Sequence, residues 1–138
     1  MRAAVLGSPI GHSLSPVLHR AAYAALGLQD WTYDAIEVLP EGLASFLDGL
    51  GPEWAGLSLT MPLKQAVLPL LTSASELVGI TGAANTVVLR DGERVGHNTD
   101  VEGMVAALRE AGVASCDRAA VIGAGATAAS ALAALHEL

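Results

Sequence analysis

Cysteine, basic residues and long apolar runs are all scarce in this sequence. Cys116 is the only cysteine, which excludes an internal disulfide and suits a reducing compartment such as the cytoplasm. Seven basic residues stand against fourteen acidic ones, and the net charge of −7 argues against nucleic acid as a partner, because phosphate polyanions are bound by clustered Lys and Arg. No run approaches the roughly 18 apolar residues of a membrane span. The four histidines lack metal-ligand spacing, so no metal is expected.

Hydrophobic residues make up 52% of the 138 positions, which is ample for a core. Short apolar runs alternate with helical patterns, and this alternation predicts an α/β fold with a mostly parallel sheet. Strands are expected at 2–7, 31–38 and 54–61, and helices at 15–27, 41–50, 62–68, 73–79 and 99–112.

Two of these helices carry recognisable end signals. Ser15 is the expected N-cap of the first helix, Pro16 its first helical residue and Gly27 its stop signal. Thr99 and Glu102 have the spacing of a capping box at the start of the last helix.

A β-hairpin is predicted ahead of that last helix. Asp91 and Gly92 separate two extended runs, and Asp-Gly is a strong signal for a two-residue hairpin turn. With that turn, Asn85 faces Asn98, and Asp100 becomes the diagonal neighbour of Asn85 on the same face. The diagonal distance is roughly 7–8 Å, within reach of one small ligand.

The apolar strand 54–61 ends beside a lysine. Alternation places Ser58 and Thr60 on one face at the carboxyl end of the strand, and open parallel sheets bind ligands outside such ends. Lys64 follows in the first turn of the helix predicted at 62–68, where the positive end of the helix dipole disfavours a cation. A solvated surface lysine is the ordinary alternative, but the two neighbouring hydroxyl groups favour a proton-transferring Lys64.

Four other polar residues are candidate ligands. Ser13 and Ser15 lie in the strand-to-helix turn 7–16, where hydroxyl groups and exposed amides suit a carboxylate, although capping alone would account for Ser15. Asn85 has an ordinary role as a turn residue, and Asp100 as an acid at the start of a helix. Their convergence on one face favours a shared ligand site.

The last segment, 118–138, has the pattern of a strand, a glycine turn and a helix. Gly123, Gly125 and Ala128 match the G-x-G-x-x-G/A turn that holds the pyrophosphate of a dinucleotide. A lone match is weak, but the expected strand and helix on either side agree with it. The predicted cradle consists of Gly123, Ala124, Gly125, Ala126, Thr127 and Ala128.

Together these segments resemble the shikimate dehydrogenase family, in the family's order and over nearly the whole chain. The segments are GSPIGHSLSPVLH at 7–19, LTMPLK at 59–64, GAANT at 82–86, GHNTDVEG at 96–103 and GAGATAA at 123–129. The resemblance implies an NADP-dependent oxidoreductase that interconverts 3-dehydroshikimate and shikimate, in the pathway to chorismate and the aromatic amino acids.

The resemblance also implies roles for individual residues. Those implied to bind substrate are Ser13, Ser15, Thr60, Lys64, Asn85 and Asp100. The two serines would hold the substrate carboxylate, and Thr60, Asn85 and Asp100 its ring hydroxyl groups. Lys64 would be the catalytic acid/base, paired with Asp100.

On the cofactor side, the resemblance implies that the glycine turn at 123–128 holds NADP and that Glu76 is an acid near the cofactor. Two positions depart from the family pattern. Ser58 stands where the family usually has Asn, which would weaken one substrate contact. The turn also lacks the family's basic residue at its end, where Ser130 would loosen the hold on the phosphates.

The resemblance implies a three-layer α-β-α substrate domain at 1–100. Residues 101–138 would be a bridging helix and the first β-α unit of an NADP-binding Rossmann domain. Family members continue well past residue 138, so the 138-residue chain alone is expected to be inactive. The protein is expected to be a monomer or a homodimer. The alternatives are an NAD-dependent quinate/shikimate dehydrogenase and a non-catalytic module that binds a cyclic carboxylate.

Overall fold

Six strands form one mixed sheet in the computed structural model, which describes residues 1–138. The strands are β1 (Arg2–Gly7), β2 (Thr32–Glu37), β3 (Trp54–Leu59), β4 (Ser73–Ala74), β5 (Thr86–Arg90) and β6 (Glu93–His97). Their order across the sheet is β2-β1-β3-β5-β6-β4. β1 is parallel to β2 and β3, and β4 to β6, whereas β5 is antiparallel to both β3 and β6. The predicted α/β class, with a hairpin added to parallel strands, is confirmed.

The helices are α1 (Ser15–Ala25), α2 (Pro40–Asp48), α3 (Leu63–Ala66), α4 (Glu76–Thr81), α5 (Asp100–Glu110) and α6 (Ala126–His136). α1 stops before Gly27, whose φ of +70° allows the chain to leave the helix, as predicted. α3 is shorter than the helix predicted at 62–68 and gives way to a 3-10 turn at Leu68–Leu70, because Pro69 has no amide hydrogen to continue the helix. None of the helices combines the length and the apolar character needed to cross a bilayer.

Helices cover both faces of the sheet. Neighbouring residues of β1 point to opposite faces, and they belong to different buried clusters. Ala4 packs in one cluster with Leu43 of α2, whereas Val5 packs in another cluster that includes Tyr23 of α1. The arrangement is therefore the three-layer α-β-α sandwich that the family resemblance implied.

The hairpin between β5 and β6 has the predicted register. Asp91 and Gly92 both have positive φ, 54° and 81°, as a two-residue turn of type I′ requires. Thr86 pairs with His97 at the open end of the hairpin. This register brings the residues that follow β6 next to Asn85.

The strand predicted at the start of segment 118–138 does not form. Residues 118–122 lie apart from every strand of the sheet, and a strand is stable only when a neighbour pairs with its backbone. Ile122 is fully exposed as a result, at 102%. The helix that follows does form, and α6 packs on α5 through Val101, Val105 and Ala134.

Two predicted helix caps are wrong. Ser15 is the first helical residue of α1, and its amide donates to Oγ of Ser13 at 3.3 Å. Thr99 does precede α5, but its hydroxyl group is engaged with Asn85 instead of capping the helix together with Glu102. The amide at the start of α1 is thus satisfied by Ser13, and the hydroxyl group of Thr99 is committed to Asn85.

Candidate active site

Lys64 and Asp100 form an ion pair between α3 and α5. Nζ of Lys64 lies 2.6 Å from Oδ2 of Asp100, and the two side chains are only 16% and 22% exposed. Charges shielded in this way interact more strongly than charges in water. The expected conflict between Lys64 and a helix dipole does not arise, because α3 has only four residues. The carboxylate of Asp100 accounts for the position of the lysine instead.

Asn85 holds the second oxygen of the same carboxylate. Its Nδ2 donates to Oδ1 of Asp100 at 2.8 Å and to Oγ1 of Thr99 at 2.9 Å. Its Oδ1 accepts a hydrogen bond from the backbone amide of Thr99 at 3.0 Å. Both oxygens of Asp100 are therefore engaged, one by an amide and one by an ammonium group, which fixes the plane of the carboxylate.

The end of β3 supplies two more hydroxyl groups. Leu57 and Leu59 are buried in the core, so Ser58 and Thr60 point the other way, as alternation predicted. Thr60 packs so closely on β1 that a Cβ at Gly7 would lie 2.5 Å from Cγ2 of Thr60. Glycine at position 7 therefore makes room for the threonine.

These side chains surround one polar cavity of about 380 Å³. It lies where the carboxyl ends of β1 and β3 meet the first residues of α1 and α5. All of the residues implied to bind substrate line this cavity, namely Ser13, Ser15, Thr60, Lys64, Asn85 and Asp100. The chain thus gathers them from segments that are far apart in sequence.

Two of the histidines that lack metal-ligand spacing also line the cavity, His12 and His19, and the sequence analysis did not include them in the site. Nδ1 of His19 lies 2.9 Å from the carbonyl oxygen of Ser15, and its ring stacks on Tyr33 with centroids 3.9 Å apart. Tyr33 in turn donates from Oη to Oγ of Ser58 at 2.7 Å. The i, i+4 spacing of Ser15 and His19 was a usable signal, whereas the contact of Tyr33 depends on packing between elements.

A second cavity, of about 480 Å³, adjoins the first, and Thr60 and Lys64 line both. Residues 121–123 and 125–128 form another part of its wall. Gly123 has a φ of +132°, and no atom lies near the position that a Cβ would take there or at Gly125. The first amides of α6 have no partner within the helix. This open glycine turn at a helix N-terminus fits the pyrophosphate of a dinucleotide such as NADP.

Two of the residues predicted on the cofactor side do not line the second cavity. Glu76 is the exposed first residue of α4 and lines neither cavity, and Ala124 does not line the second one. No three side chains of His, Cys, Asp or Glu come together in a way that could hold a metal ion.

Asn98 is the centre of a buried polar network beneath the site. Its Nδ2 contacts Oγ1 of Thr81 at 2.9 Å, the carbonyl oxygen of Ala83 at 3.2 Å and Oγ of Ser130 at 3.0 Å. Its Oδ1 accepts from the amide of Asp100 at 3.0 Å. The hydroxyl group of Ser130 is therefore part of this network, and it also donates to the carbonyl oxygen of Ala126 at 3.3 Å.

Comparison with known proteins agrees with this geometry. The family described as shikimate dehydrogenase substrate binding domain matches residues 5–87. A relative from Citrifermentans bemidjiense, named shikimate dehydrogenase (NADP(+)), is 44% identical over 136 residues, which cover 96% of this chain and 47% of the relative. The chain thus spans about half the length of this curated relative.

Solved structures show the same fold. The crystal structure of Mycobacterium tuberculosis shikimate dehydrogenase has a TM-score of 0.90 and 44% identity, over 99% of this chain and 50% of that one. The Thermus thermophilus enzyme, solved in complex with NADP(H) and shikimate, has a TM-score of 0.93 and 39% identity, over 99% of this chain and 52% of that one. Since the family match covers more than half of the chain as well, this protein belongs to the shikimate dehydrogenase family.

Proposed function

We propose that this chain provides the substrate-binding and catalytic part of an NADP-dependent shikimate dehydrogenase, which interconverts 3-dehydroshikimate and shikimate. The observation that carries the proposal is the shielded pair of Lys64 and Asp100, at the edge shared by two cavities. A cavity that only bound its ligand would have no need of a proton donor next to a second cavity. The protein would act in the cytoplasm, in the pathway to chorismate and the aromatic amino acids.

Substrate binding follows from the polar groups of the first cavity. Ser13 and Ser15 lie at the start of α1, where hydroxyl groups and free amides suit the carboxylate of the substrate. Thr60, Asn85 and Asp100 line the part of the cavity next to Lys64 and would contact the ring hydroxyl groups. Hydrogen bonds to defined hydroxyl positions give such a site its selectivity.

The chemistry requires a proton and a hydride to leave the substrate alcohol. The amine of Lys64 accepts the hydroxyl proton during oxidation, and the ammonium returns it to the ketone oxygen during reduction. Asp100 keeps Nζ in place through their 2.6 Å contact. Asn85 holds the carboxylate itself. When bound, NADP accepts or supplies the hydride.

For the cofactor, the glycine turn at 123–128 would hold the pyrophosphate of NADP at the N-terminus of α6. Thr60 and Lys64 border both cavities, which would bring the reacting ends of cofactor and substrate together. We assign residues 1–100 to the substrate domain, and residues 101–138 to a bridging helix and the beginning of the NADP-binding domain.

The proposal is tested in a chimera that joins residues 1–138 to the C-terminal half of the Mycobacterium tuberculosis relative. The chimera should reduce NADP⁺ when shikimate is added. Lys64→Ala should lower kcat by several orders of magnitude while shikimate affinity changes far less, since the lysine acts mainly in proton transfer. Lys64 is the only lysine of the chain, so no neighbouring lysine can take its place.

Arg109→Ala is the matched control, because Arg109 is an exposed cation on α5 outside both cavities. It should leave kcat and shikimate affinity unchanged. An equal loss of rate and affinity in Lys64→Ala would point to a binding module instead of an enzyme. A clear preference for quinate or for NAD in steady-state rates would contradict the assigned substrate and cofactor.

A further inference from the structure

Tyr33 is buried behind one wall of the substrate cavity. It lies on β2, is only 2% exposed, and its hydroxyl group donates to Oγ of Ser58 on β3 at 2.7 Å. β1 lies between these two strands, so the phenol spans the width of one strand to make the contact. Tyr33 does not line the cavity, whereas Ser58 does.

The direction of this hydrogen bond determines where the proton of Ser58 points. Burial raises the pKa of Tyr33 above its ordinary value of 10.0, more than the nearby hydroxyl groups of Ser58 and Ser15 lower it. The phenol is therefore protonated at neutral pH, so it has the hydrogen that it donates to Oγ of Ser58. A serine hydroxyl has one hydrogen, so Ser58 accepts from Tyr33 and keeps its own hydrogen free for the cavity.

His19 connects Tyr33 to the start of α1 through two contacts. Its ring is stacked on Tyr33, with an interplanar angle of 11°. Its Nδ1 lies 2.9 Å from the carbonyl oxygen of Ser15, and because a carbonyl can only accept, Nδ1 carries the hydrogen. Ser15 and Ser58 are thus held relative to each other through two aromatic rings.

We propose that Tyr33 is a positioning residue for substrate binding, which holds the hydroxyl group of Ser58 so that it donates to the carboxylate of the substrate, next to Ser13 and Ser15. This role rests on the proposed function and adds to it a residue outside the cavity. Lys64 is engaged by Asp100, so the substrate carboxylate is held by neutral hydroxyl groups. For such donors the orientation of the hydrogen matters more than charge. The serine in place of the family's usual asparagine at position 58 depends on Tyr33 for its orientation.

The test measures the affinity for shikimate of the 138-residue chain by calorimetry, and KM and kcat in the chimera. Tyr33→Phe removes one oxygen and keeps the ring that stacks on His19. We expect it to weaken shikimate binding about tenfold, with kcat changed less than about twofold, as for loss of a hydrogen bond to a charged group. Ser58→Ala should have a similar effect, and the double variant should be little worse than either, because the two residues act as a unit.

A shikimate analogue with a hydroxymethyl group in place of the carboxylate separates positioning from a general structural effect. Tyr33→Phe should leave the affinity for this analogue nearly unchanged. Tyr23→Phe is the matched control, since Tyr23 packs against the same ring without contacting Ser58. Circular dichroism checks that each variant folds. If Tyr33→Phe does not fold, Ser58→Ala tests the same hydrogen bond from the cavity side.

Two results would overturn the positioning role alone. One is shikimate affinity in Tyr33→Phe equal to that of the unsubstituted chain, and the other is an equal loss for shikimate and the analogue. If neither the unsubstituted chain nor the unsubstituted chimera binds shikimate, the proposed function itself fails, and the proposed site for the substrate carboxylate fails with it.

Discussion

Ser130 and Asn98 are hydrogen-bonded at 3.0 Å although 32 positions separate them in the sequence. Ser130 is fully buried and Asn98 is only 3% exposed, so water cannot replace either partner. This contact joins α6, which follows the glycine turn, to the loop that carries Asp100. Asn98 also accepts from the amide of Asp100. The side chain of Asn98 therefore links α6 directly to Asp100, one member of the ion pair.

Ser130→Ala removes the bond from Asn98 and a 3.3 Å bond to the carbonyl oxygen of Ala126 within α6, and a bond of the second kind adds little to stability. The substitution should therefore lower the free energy of unfolding by about 0.5–1.5 kcal/mol, the usual net value of one hydrogen bond. Asn98 keeps Thr81 and Ala83 as acceptors in this variant, so the loss stays in that range. Urea denaturation measures it. Ser45→Ala, at an exposed position of α2, corrects for the better helix propensity of alanine. Equal stability of Ser130→Ala and the unsubstituted chain would show that the contact contributes nothing.

Asp100→Asn should lower kcat of the chimera by about 10²–10⁴-fold, the range for groups that assist proton transfer. The substitution keeps the shape of the side chain but removes the charge that holds the ammonium group of Lys64, so KM for shikimate should change less. Initial rates of NADPH formation measure both constants. Glu102→Gln, at an exposed acid in the same turn of α5, should have little effect. Equal rates in Asp100→Asn and the unsubstituted chimera would exclude Asp100 from the reaction.

Folding stability should fall as the pH rises above about 10. Burial raises the pKa of Tyr33 in the folded chain above 10.0, while the unfolded chain ionises near the ordinary value. The unfolded state then binds fewer protons than the folded state, so the free energy of unfolding declines with pH. Urea denaturation between about pH 9 and about pH 11 measures the decline.

Tyr33→Phe should flatten this alkaline dependence. The chain has only two tyrosines, and the pKa of Tyr23 is also raised by burial, so phenolate absorbance of the variant reports Tyr23 alone. An unchanged slope of stability against pH in Tyr33→Phe would contradict the link to this phenol.

The 138-residue chain alone should show no NADPH oxidation with 3-dehydroshikimate. Residues 118–122 have no neighbouring strand, and the second cavity is bounded on that side by irregular chain. A site of this kind cannot hold the nicotinamide ring in a fixed orientation, and hydride transfer depends on orientation. The chimera is the positive control under the same conditions, and steady NADPH consumption by the isolated chain would refute the expectation.

The part of the site that depends on local chain geometry was predictable. The Asp91-Gly92 turn sets the register of a hairpin, and that register brings Asn85 next to Asp100. Alternation along β3 likewise separates Ser58 and Thr60 from the core. Both inferences need only the sequence over a short window, because the periodicity of a strand and the geometry of a two-residue turn are local properties.

Other features depend on contacts between distant parts of the chain and cannot be predicted from a short stretch of sequence. Tyr33 reaches Ser58 across an intervening strand, and Asn98 reaches Ser130 across 32 positions. The apolar run 119–122 has the composition of a strand, but a strand also requires a neighbouring strand, which composition cannot supply. The hydroxyl group of Thr99, which was expected to cap α5, is instead hydrogen-bonded to Asn85. Only the folded chain shows which of the two contacts forms.

The two cavities have a common border at Thr60 and Lys64. A bisubstrate inhibitor that links a cyclic carboxylate to a planar heterocycle would therefore need only a short tether to occupy both compartments. Because the chain has no other lysine, an amine-reactive electrophile on that tether would find a single side-chain target, at the junction where the tether lies.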